Sequence, residues 1–339
     1  MTATPTRSPE EARWPSLPLT EWQDTQSTLH RWFQIVGKTR LALAPPVNHW
    51  WHVTLYISGR GLTTSAMPYG DRWLEVEFDF IDHQLIARTS DGAIQSMRLA
   101  PQTVADFYRD YMALLQAAGA PVKIWPVPRE MEDTLRFTED TQHRSYDRDA
   151  VHRCWTALSE ASRVLQQFRS RFIGKCSPVH FFWGAFDLAC TRFSGRTAPT
   201  HPGGVPNLPD WAVREAYSHE CISAGWWPGG GAIMEPAFYA YSYPEPAGFA
   251  QARILPDAAY YSPDLKEFVL PYDAVRTASR PDELLLEFLQ STYDAGANLG
   301  GWDRGGLERE SPVAIPQSPA GNSWPPPPTT DVCRLMTRD

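Results

Sequence analysis

Residues 49–55 (His-Trp-Trp-His-Val-Thr-Leu) align with residues 180–186 (His-Phe-Phe-Trp-Gly-Ala-Phe) when the chain is shifted by 131 positions. A helix-like segment that runs into a Gly-Lys pair precedes each stretch, at Gly37-Lys38 and at Gly174-Lys175. Because the matches occur in the same order in both halves, they predict an internal duplication. We therefore interpret the chain as two diverged copies of one unit.

The periodicity of apolar residues predicts similar elements in both copies. Thr20–Leu41 and Asp149–Phe172 have helical spacing, with Thr20 and Asp149 as N-caps. Strands are predicted at 52–58, 73–80, 84–89, 182–191, 237–243, 259–261 and 267–270, and closing helices at 103–118 and 281–295. Short turns between strands favour antiparallel pairing. The predicted fold class is α+β, with two diverged helix–antiparallel strands–helix units in a pseudo-twofold arrangement.

Composition along the chain predicts four segments. The first α+β unit covers residues 14–142, and the second, which carries the predicted site, covers residues 143–310. Residues 1–13 and the proline-rich tail at 311–339 are polar, and neither can bury enough apolar surface to offset its ordering entropy. We expect both ends to be mobile.

Charge and cysteine usage limit the class of partner. The net charge is −8 and no block of like charges occurs, which argues against nucleic-acid binding. No signal segment opens the chain, and no apolar stretch approaches the roughly 18–20 residues that span a bilayer. The 5 cysteines form an odd, widely spaced set, which is typical of a reducing compartment. We expect a cytoplasmic protein, without membrane contact, that binds a small-molecule ligand.

Four unusual strings carry a resemblance to a known family. They are residues 48–52 (Asn-His-Trp-Trp-His), 143–147 (His-Arg-Ser-Tyr-Asp), 177–184 (Ser-Pro-Val-His-Phe-Phe-Trp-Gly) and 215–220 (Glu-Ala-Tyr-Ser-His-Glu). With these strings the chain resembles an uncharacterised bacterial family, the domain-of-unknown-function family 5996, from Trp14 to Trp302. The resemblance implies no established activity.

The second unit holds the richest set of charged and aromatic residues, between His180 and Glu235. Asp187 and Arg192 lie in or just after an apolar, aromatic strand, where a charge needs a partner or a ligand. The two residues are therefore either a structural ion pair or a ligand-binding pair.

His219 stands between two acidic residues, Glu215 and Glu220. If residues 210–219 are helical, Glu215 and His219 share a face, which suits metal coordination or an imidazole oriented by a carboxylate. His180, His219 and Glu220 are the predicted metal ligands, and zinc, iron or manganese would suit such a set. A solvated helix end explains the two glutamates almost as well.

Other histidines leave two interpretations open. His49 and His52 are three apart and would point to opposite faces of a regular strand, so each is either a core residue or a functional one. His143, Tyr146 and Asp147 lie in the connection between the two units, where binding sites often form. The same segment could serve only as an N-capping loop.

These patterns lead to one functional hypothesis and one alternative. We expect an enzyme that acts on a small polar molecule in an aromatic-lined pocket, with metal-assisted hydrolysis or lysis as the reaction class. The predicted catalytic residues are His219, Glu215, Glu220 and Asp187, and the predicted substrate contacts are Arg192, Trp183, Trp226, Trp227, Tyr239, His143 and Tyr146. The alternative is a non-catalytic module that binds a small molecule or a protein through the duplicated unit.

Overall fold

A computed structural model describes residues 13–205 and 207–309 of the chain. Its helices are α1 (Gln23–Leu43), α2 (Val104–Ala117), α3 (Arg148–Ser170), α4 (Asp210–Ala216), α5 (Tyr272–Arg276), α6 (Pro281–Leu299) and α7 (Arg304–Leu307). Three short 3₁₀ segments lie at Leu19–Glu21, Asn48–Val53 and Phe249–Gln251. Except for Arg13, the two ends that the sequence predicts to be mobile fall outside the described residues.

The strands form two antiparallel sheets, so the fold is mixed α and β. The strands are β1 (Tyr56–Ile57), β2 (Gly61–Thr63), β3 (Met67–Tyr69), β4 (Arg72–Asp79), β5 (Gln84–Thr89), β6 (Ile94–Arg98), β7 (His180–Phe182), β8 (Asp187–Thr197), β9 (His219–Trp227), β10 (Ala237–Tyr243), β11 (Tyr260–Ser262) and β12 (Glu267–Pro271). The first sheet has the order β1-β2-β4-β5-β6, with β3 paired to β4, and the second has the order β7-β8-β9-β10-β12-β11.

The two sheets touch where the chain enters their edge strands. Leu55, just before β1, and Phe181, in β7, form an antiparallel bridge in which each backbone N–H donates to the other residue's carbonyl, at 2.9 and 2.8 Å. Both side chains are fully buried. One hydrophobic core extends across both halves of the described chain, so the predicted boundary at residues 142 and 143 does not separate two cores.

Helix α1 lies at the centre of this core. Every residue from Arg31 to Thr39 is buried, which means that the helix has no solvent face over more than two turns. The ring of Phe33 packs edge-on against Phe78 of the first sheet, with centroids 5.0 Å apart, and against Phe181 of the second sheet, at 5.3 Å. Helix α1 therefore joins the two sheets.

Most predicted elements are present, with shifted ends. Strands β4, β5, β10 and β12 and helices α1, α2, α3 and α6 match the apolar periodicity, and Asp91-Gly92 forms the turn before β6 as expected. The single strand predicted at 182–191 is instead two strands, β7 and β8, separated by a turn that contains Phe186 at φ 61°. None of the helices in the described ranges combines the length and the apolar composition needed to cross a bilayer.

The strand predicted at 52–58 is wrong over most of its length. Residues Asn48–Val53 form a 3₁₀ segment, and only Tyr56–Ile57 are extended within a sheet. His49 and Trp50 have φ values of 57° and 62°, a backbone region that costs about 1–2 kcal/mol for each such residue. Periodicity cannot reveal such a bend, because it comes from packing against a distant helix, α4. The aligned stretches 49–55 and 180–186 consequently differ in conformation.

The N-cap of α3 is a different residue from the one that the sequence predicts. Asp147, and not the predicted Asp149, caps the helix, since its carboxylate accepts hydrogen bonds from the backbone N–H groups of Asp149 and Ala150 at 2.9 and 3.0 Å. We expect Asp147→Ala to lower the free energy of unfolding by about 1–2 kcal/mol, and Asp149→Ala by clearly less. Chemical denaturation of both variants measures this difference. Equal losses would contradict the assignment of the cap.

Candidate functional site

The second sheet has one apolar face and one polar face. Leu188, Trp226 and Phe238 point into the core and are fully buried. Their neighbours along the strands point the other way, because side chains alternate in a strand and the register aligns Ala189, Gly225 and Tyr239 across three strands. We call this second surface the polar face; its residues include Asp187, Ala189, Thr191, Ser223, Gly225, Tyr239, Tyr241 and Glu267.

The central contact of the polar face joins Tyr239 and Asp187. The Tyr239 hydroxyl, on β10, reaches across β9 and donates a hydrogen bond to Asp187 Oδ2 on β8, at 2.5 Å. The ring crosses β9 at Gly225, where a Cβ atom would lie 2.1 Å from the backbone carbonyl oxygen of Leu188 and 2.6 Å from the tyrosine hydroxyl oxygen. The glycine at this position is therefore required by the close approach of both the neighbouring strand and the tyrosine ring.

A third residue, Glu130, joins the site from a loop between α2 and α3. A Cβ atom on Gly184 would lie 2.0 Å from its carboxylate oxygen, so the carboxylate packs directly on the turn between β7 and β8. Glu130 has φ 56°, an unfavourable value that the neighbouring residue enforces. The buried amide of Gln34 on α1 donates to the Arg129 carbonyl and accepts from the Arg129 N–H, both at 2.8 Å.

The carboxyl groups of this site have pKa values that are raised toward neutral pH. Burial raises the pKa of Asp187 to about 6, although the hydrogen bond from Tyr239 opposes the shift. Burial raises the pKa of Glu130 to about 7, and the negative charge of Asp187 makes a smaller contribution. Solvent nevertheless reaches part of the Glu130 side chain. The same two causes raise the pKa of Glu267 to about 7. Within the described residues, none of the three carboxylates forms a salt bridge.

Tyrosine rings form a wall beside these carboxyl groups. The rings of Tyr239 and Tyr241 stack with centroids 6.2 Å apart, and the hydroxyl of Tyr241 lies 2.9 Å from that of Tyr217, which follows α4. Burial is the main cause that raises the pKa of Tyr217, and the charges of Asp187 and Glu130 add to it. Tyr217 is thus close enough for the charges of Asp187 and Glu130 to act on its hydroxyl group.

A second group of ionisable residues, the histidine–lysine cluster, consists of His49, Lys175 and His219. His49 Nε2 lies 2.6 Å from Lys175 Nζ, and its Nδ1 lies 2.8 Å from the Ala216 carbonyl. The rings of His49 and His219 are 5.6 Å apart, and His49 also packs on Phe193 at the far end of β8. His219 therefore lies with basic residues and is separated from Asp187 by most of the length of that strand.

The predicted pairing of Glu215 with His219 on one helix is wrong. Helix α4 ends at Ala216, and His219 is the first residue of strand β9, so the two residues do not share a helical face. Glu220 is adjacent to His219 in the strand and points to the opposite side, where it binds Arg196 and Ser194 at 2.7 and 2.9 Å. Glu215 is exposed on α4.

Three residues predicted to contact the substrate lie in the core. Arg192 is 1% exposed, and its guanidinium lies 3.5 Å from the centre of the Phe168 ring, so it neither pairs with Asp187 nor faces a ligand. Trp226 is fully buried on the apolar face. Tyr146 is 5% exposed, and its hydroxyl contacts His83 Nδ1 at 2.8 Å. The alternation of side chains along β8 and β9 places Arg192 and Trp226 in the core, whereas Tyr146 lies in the irregular stretch before α3.

Three predicted residues remain: Trp183, in the turn between β7 and β8, Trp227, at the end of β9, and His180, in the core. Trp183 packs on Gly37 of α1, and its indole N–H donates to the Val53 carbonyl at 2.6 Å, which makes it a support for the turn that holds Glu130. Trp227, at the end of β9, is half-buried on the side of the polar face. His180 is fully buried, and burial lowers its pKa to about 3, which keeps the ring neutral.

His143 lies in a separate groove between the start of α1 and the N-terminus of α2. Its Nδ1 is 2.8 Å from the fully buried carboxylate of Asp140, which also contacts Arg31 at 3.2 Å. Thr103 and Asp106 in the same groove bind each other at 2.7 Å. These polar groups form hydrogen bonds and ion pairs with one another. The groove therefore leaves fewer polar side chains free to bind a ligand than the polar face does.

The predicted metal set is not assembled in the part of the chain that the structure describes. No group of three or more histidine, cysteine, aspartate or glutamate residues there is arranged to hold a metal ion. His180 is enclosed in the core, and Glu220 is occupied by Arg196. Zinc, iron or manganese therefore has no ligand set at His180, His219 and Glu220 in this arrangement.

Sequence reasoning missed four residues of the site: Glu130, Glu267, Tyr241 and Tyr217. Tyr241 and Glu267 could have been found, because the alternation in β10 and β12 places them on the same side as Tyr239. Glu130 lies in an irregular stretch without periodicity, so no sequence signal places it beside Asp187.

The glycine beneath Tyr239 provides a test of this geometry. We expect Gly225→Ala to displace the Tyr239 ring, break its hydrogen bond to Asp187, and lower the free energy of unfolding by about 1–3 kcal/mol. Gly59→Ala is the control, because a Cβ atom at Gly59 meets nothing within 4 Å. Denaturation curves give the stability, and carboxyl chemical shifts report the Asp187 environment. Unchanged shifts in Gly225→Ala would contradict the proposed contact.

The raised carboxyl pKa values also predict how stability depends on pH. Because the folded state binds the Glu267 proton more tightly than the unfolded state, this stabilisation is complete below pH 4.5 and is lost as the pH rises through about 7. Glu267→Gln should reduce the fall in stability over this interval by on the order of 1–2 kcal/mol. Denaturation at several pH values measures it, with Glu287→Gln on the exposed side of α6 as the control. An identical pH profile for wild type and Glu267→Gln would refute the assignment.

Comparisons with known proteins match this chain to the family that its unusual sequence strings resemble. No curated protein and no solved structure matches the chain significantly. The sequence model of one family, described as a family of unknown function (DUF5996), matches residues 14–309. The match includes all twelve strands and all seven helices described above, and the chain belongs to this family.

Proposed function

We propose that the protein is an enzyme that acts on a small polar molecule bound at the polar face, by acid–base catalysis centred on Asp187 and Tyr239. The observation that carries this proposal is the gathering of Asp187, Glu130 and Glu267 without a basic partner among the described residues. Asp187 and Glu267 are partly buried, and a carboxyl group that is removed from water without a basic partner is costly. Such groups with perturbed pKa values are candidates for a functional site.

The pKa values suit proton transfer in both directions. A catalytic acid or base works best when its pKa is close to the working pH. Near neutral pH, Asp187 at about 6 is mostly ionised, whereas Glu130 and Glu267 at about 7 retain a large fraction of their protons. Asp187 would act as the base, oriented by the Tyr239 hydroxyl, and Glu130 or Glu267 as the acid. Hydrolysis and elimination both need this combination.

The surroundings favour a particular kind of substrate. Carboxylates accept hydrogen bonds, so they would bind hydroxyl, amide or ammonium groups of a ligand. The stacked rings of Tyr239 and Tyr241 offer an apolar wall beside them. A small molecule rich in hydrogen-bond donors fits this combination.

A metal ion is not required by this proposal, because the proton transfers are assigned to carboxyl groups. His219 then has a supporting role at most, since it belongs to the histidine–lysine cluster and not to the group around Asp187. The alternative of a non-catalytic binding module uses the same polar face and differs only in whether the bound molecule is converted.

Ligand screening with matched variants tests the proposal. We expect a small polar compound that raises the melting temperature of the wild type to lose at least about tenfold in affinity in Asp187→Asn or Tyr239→Phe. Asp82→Asn is the matched control, because Asp82 is an exposed carboxylate that pairs with Arg60 on the first sheet. Equal affinity for wild type and Asp187→Asn would refute the polar face as the binding site.

Turnover separates the enzyme from the binding module. Incubating the same compound with the wild type and following it by NMR should show conversion, slowed by about 100-fold or more in Glu130→Gln or Asp187→Asn. Binding without conversion in the wild type would support the non-catalytic alternative and exclude acid–base catalysis on that compound.

The duplication and the cytoplasmic location remain part of the proposal. One antiparallel sheet in each half of the described chain supports a duplication, whereas the different conformations of residues 49–55 and 180–186 weigh against the alignment that suggested it. The activity proposed for the polar face does not depend on either point.

A further inference from the structure

Two cysteines meet beside strand β8, far from the carboxyl groups of the polar face. Cys176 forms an isolated antiparallel bridge with Arg192 of β8, and Cys190 lies two residues earlier in the same strand. The two Sγ atoms are 3.8 Å apart, and both thiols are free. Cys190 is fully buried and Cys176 is partly exposed, so a small reagent from solvent reaches Cys176 first.

A buried positive charge faces this pair. Arg192 is 1% exposed, and within the described residues it forms no salt bridge with a carboxylate. Its Nε has no hydrogen-bond partner there, and its guanidinium lies between the rings of Phe168 and Tyr293, 3.5 and 4.3 Å from their centres. A buried arginine normally has an anionic partner. The guanidinium donates to the Phe168 carbonyl, and the charges that act on it are those of Cys190, Cys176, Tyr293 and Glu308, so the two sulfur atoms are among its anionic partners.

The two thiols differ in acidity as a consequence. A hydrogen bond from Cys190 lowers the pKa of Cys176, and the charges of Arg192 and Arg169 lower it further against the effect of burial. The same hydrogen bond and burial raise the pKa of Cys190. Cys176 is thus the more acidic of the two thiols, and Cys190 is the less acidic one. This asymmetry is typical of cysteine pairs that react with oxidants.

We propose that Cys176 and Cys190 form a redox-active pair that is oxidised by hydroperoxides. The Cys176 thiolate attacks the terminal peroxide oxygen, the O–O bond breaks, and the product leaves as an alcohol or water after taking up a proton. The sulfenic acid formed on Cys176 then reacts with the Cys190 thiol, which gives the disulfide and releases water. Both sulfur atoms are oxidised by one electron each overall, and the peroxide is reduced by two.

The local structure can accommodate the bond. The sulfur atoms must approach from 3.8 Å to about 2.05 Å. Cys190 is held within β8, and backbone hydrogen bonds tie Lys175 and Ser177 to the same strand, so rotation of the cysteine side chains has to supply most of the movement. The closed loop would contain β7, the turn at Gly184, and Asp187 at the start of β8.

Mass spectrometric mapping of the full chain tests the proposal. The reduced protein is treated with one equivalent of hydrogen peroxide, free thiols are alkylated after denaturation, and the peptides are analysed without reduction. We expect a peptide pair linked through Cys176 and Cys190, lighter by two hydrogens, while Cys154 and Cys221 are recovered alkylated. Dithiothreitol should reverse the link. Absence of this pair, or linkage of either cysteine mainly to another one, would overturn the proposal.

Single variants test the order of the two steps. Cys190→Ser should accumulate a sulfenic acid on Cys176 that dimedone traps, and Cys176→Ser should give neither a trapped product nor a disulfide. Arg169→Gln, an exposed position, should slow oxidation of Cys176 severalfold if the positive charges activate the thiolate. Dimedone labelling on Cys190 in place of Cys176 would overturn the assignment of the attacking sulfur.

Discussion

The burial of the middle of helix α1 is the constraint on which the other parts of the structure depend. Its residues from Arg31 to Thr39 have no access to solvent, so each polar side chain among them needs a partner from another segment. Gln34 satisfies this need with the backbone of Arg129, and Thr39 with the hydroxyl of Tyr111 at 2.7 Å. The irregular segments around the helix are consequently held by hydrogen bonds as well as by apolar contacts.

The same constraint positions the candidate site. Gln34 fixes the loop that carries Glu130, and His30 on the same helix lies 2.8 Å from the carbonyl of Gly184, in the turn on which Glu130 packs. Burial lowers the pKa of His30 to about 4, so this contact is made by a neutral ring. A loop residue thereby reaches the strand that carries Asp187, and burial together with the charge of Asp187 raises the pKa of Glu130.

The alternation of side chains along the strands then places different functional groups on the two faces of the second sheet. Arg192, Cys190 and Trp226 point into the core, whereas Asp187 and Tyr239 point to the polar face, although all of them belong to adjacent strands. Two kinds of functional group result on opposite sides of one sheet. Carboxyl and tyrosine hydroxyl groups lie on one side, and a thiol pair beside a buried guanidinium lies on the other.

The sequence by itself determined the fold class and the main helices and strands, and it singled out Asp187 and Tyr239 as candidates, because periodicity and local composition act over neighbouring residues. It placed His219 on a helix that in fact ends at Ala216, since the change from helix to strand depends on pairing with β8 and β10. Only the tertiary structure decided that Glu130 joins Asp187. That meeting depends on contacts between residues far apart in the chain, and no local pattern encodes the direction in which an irregular loop folds back.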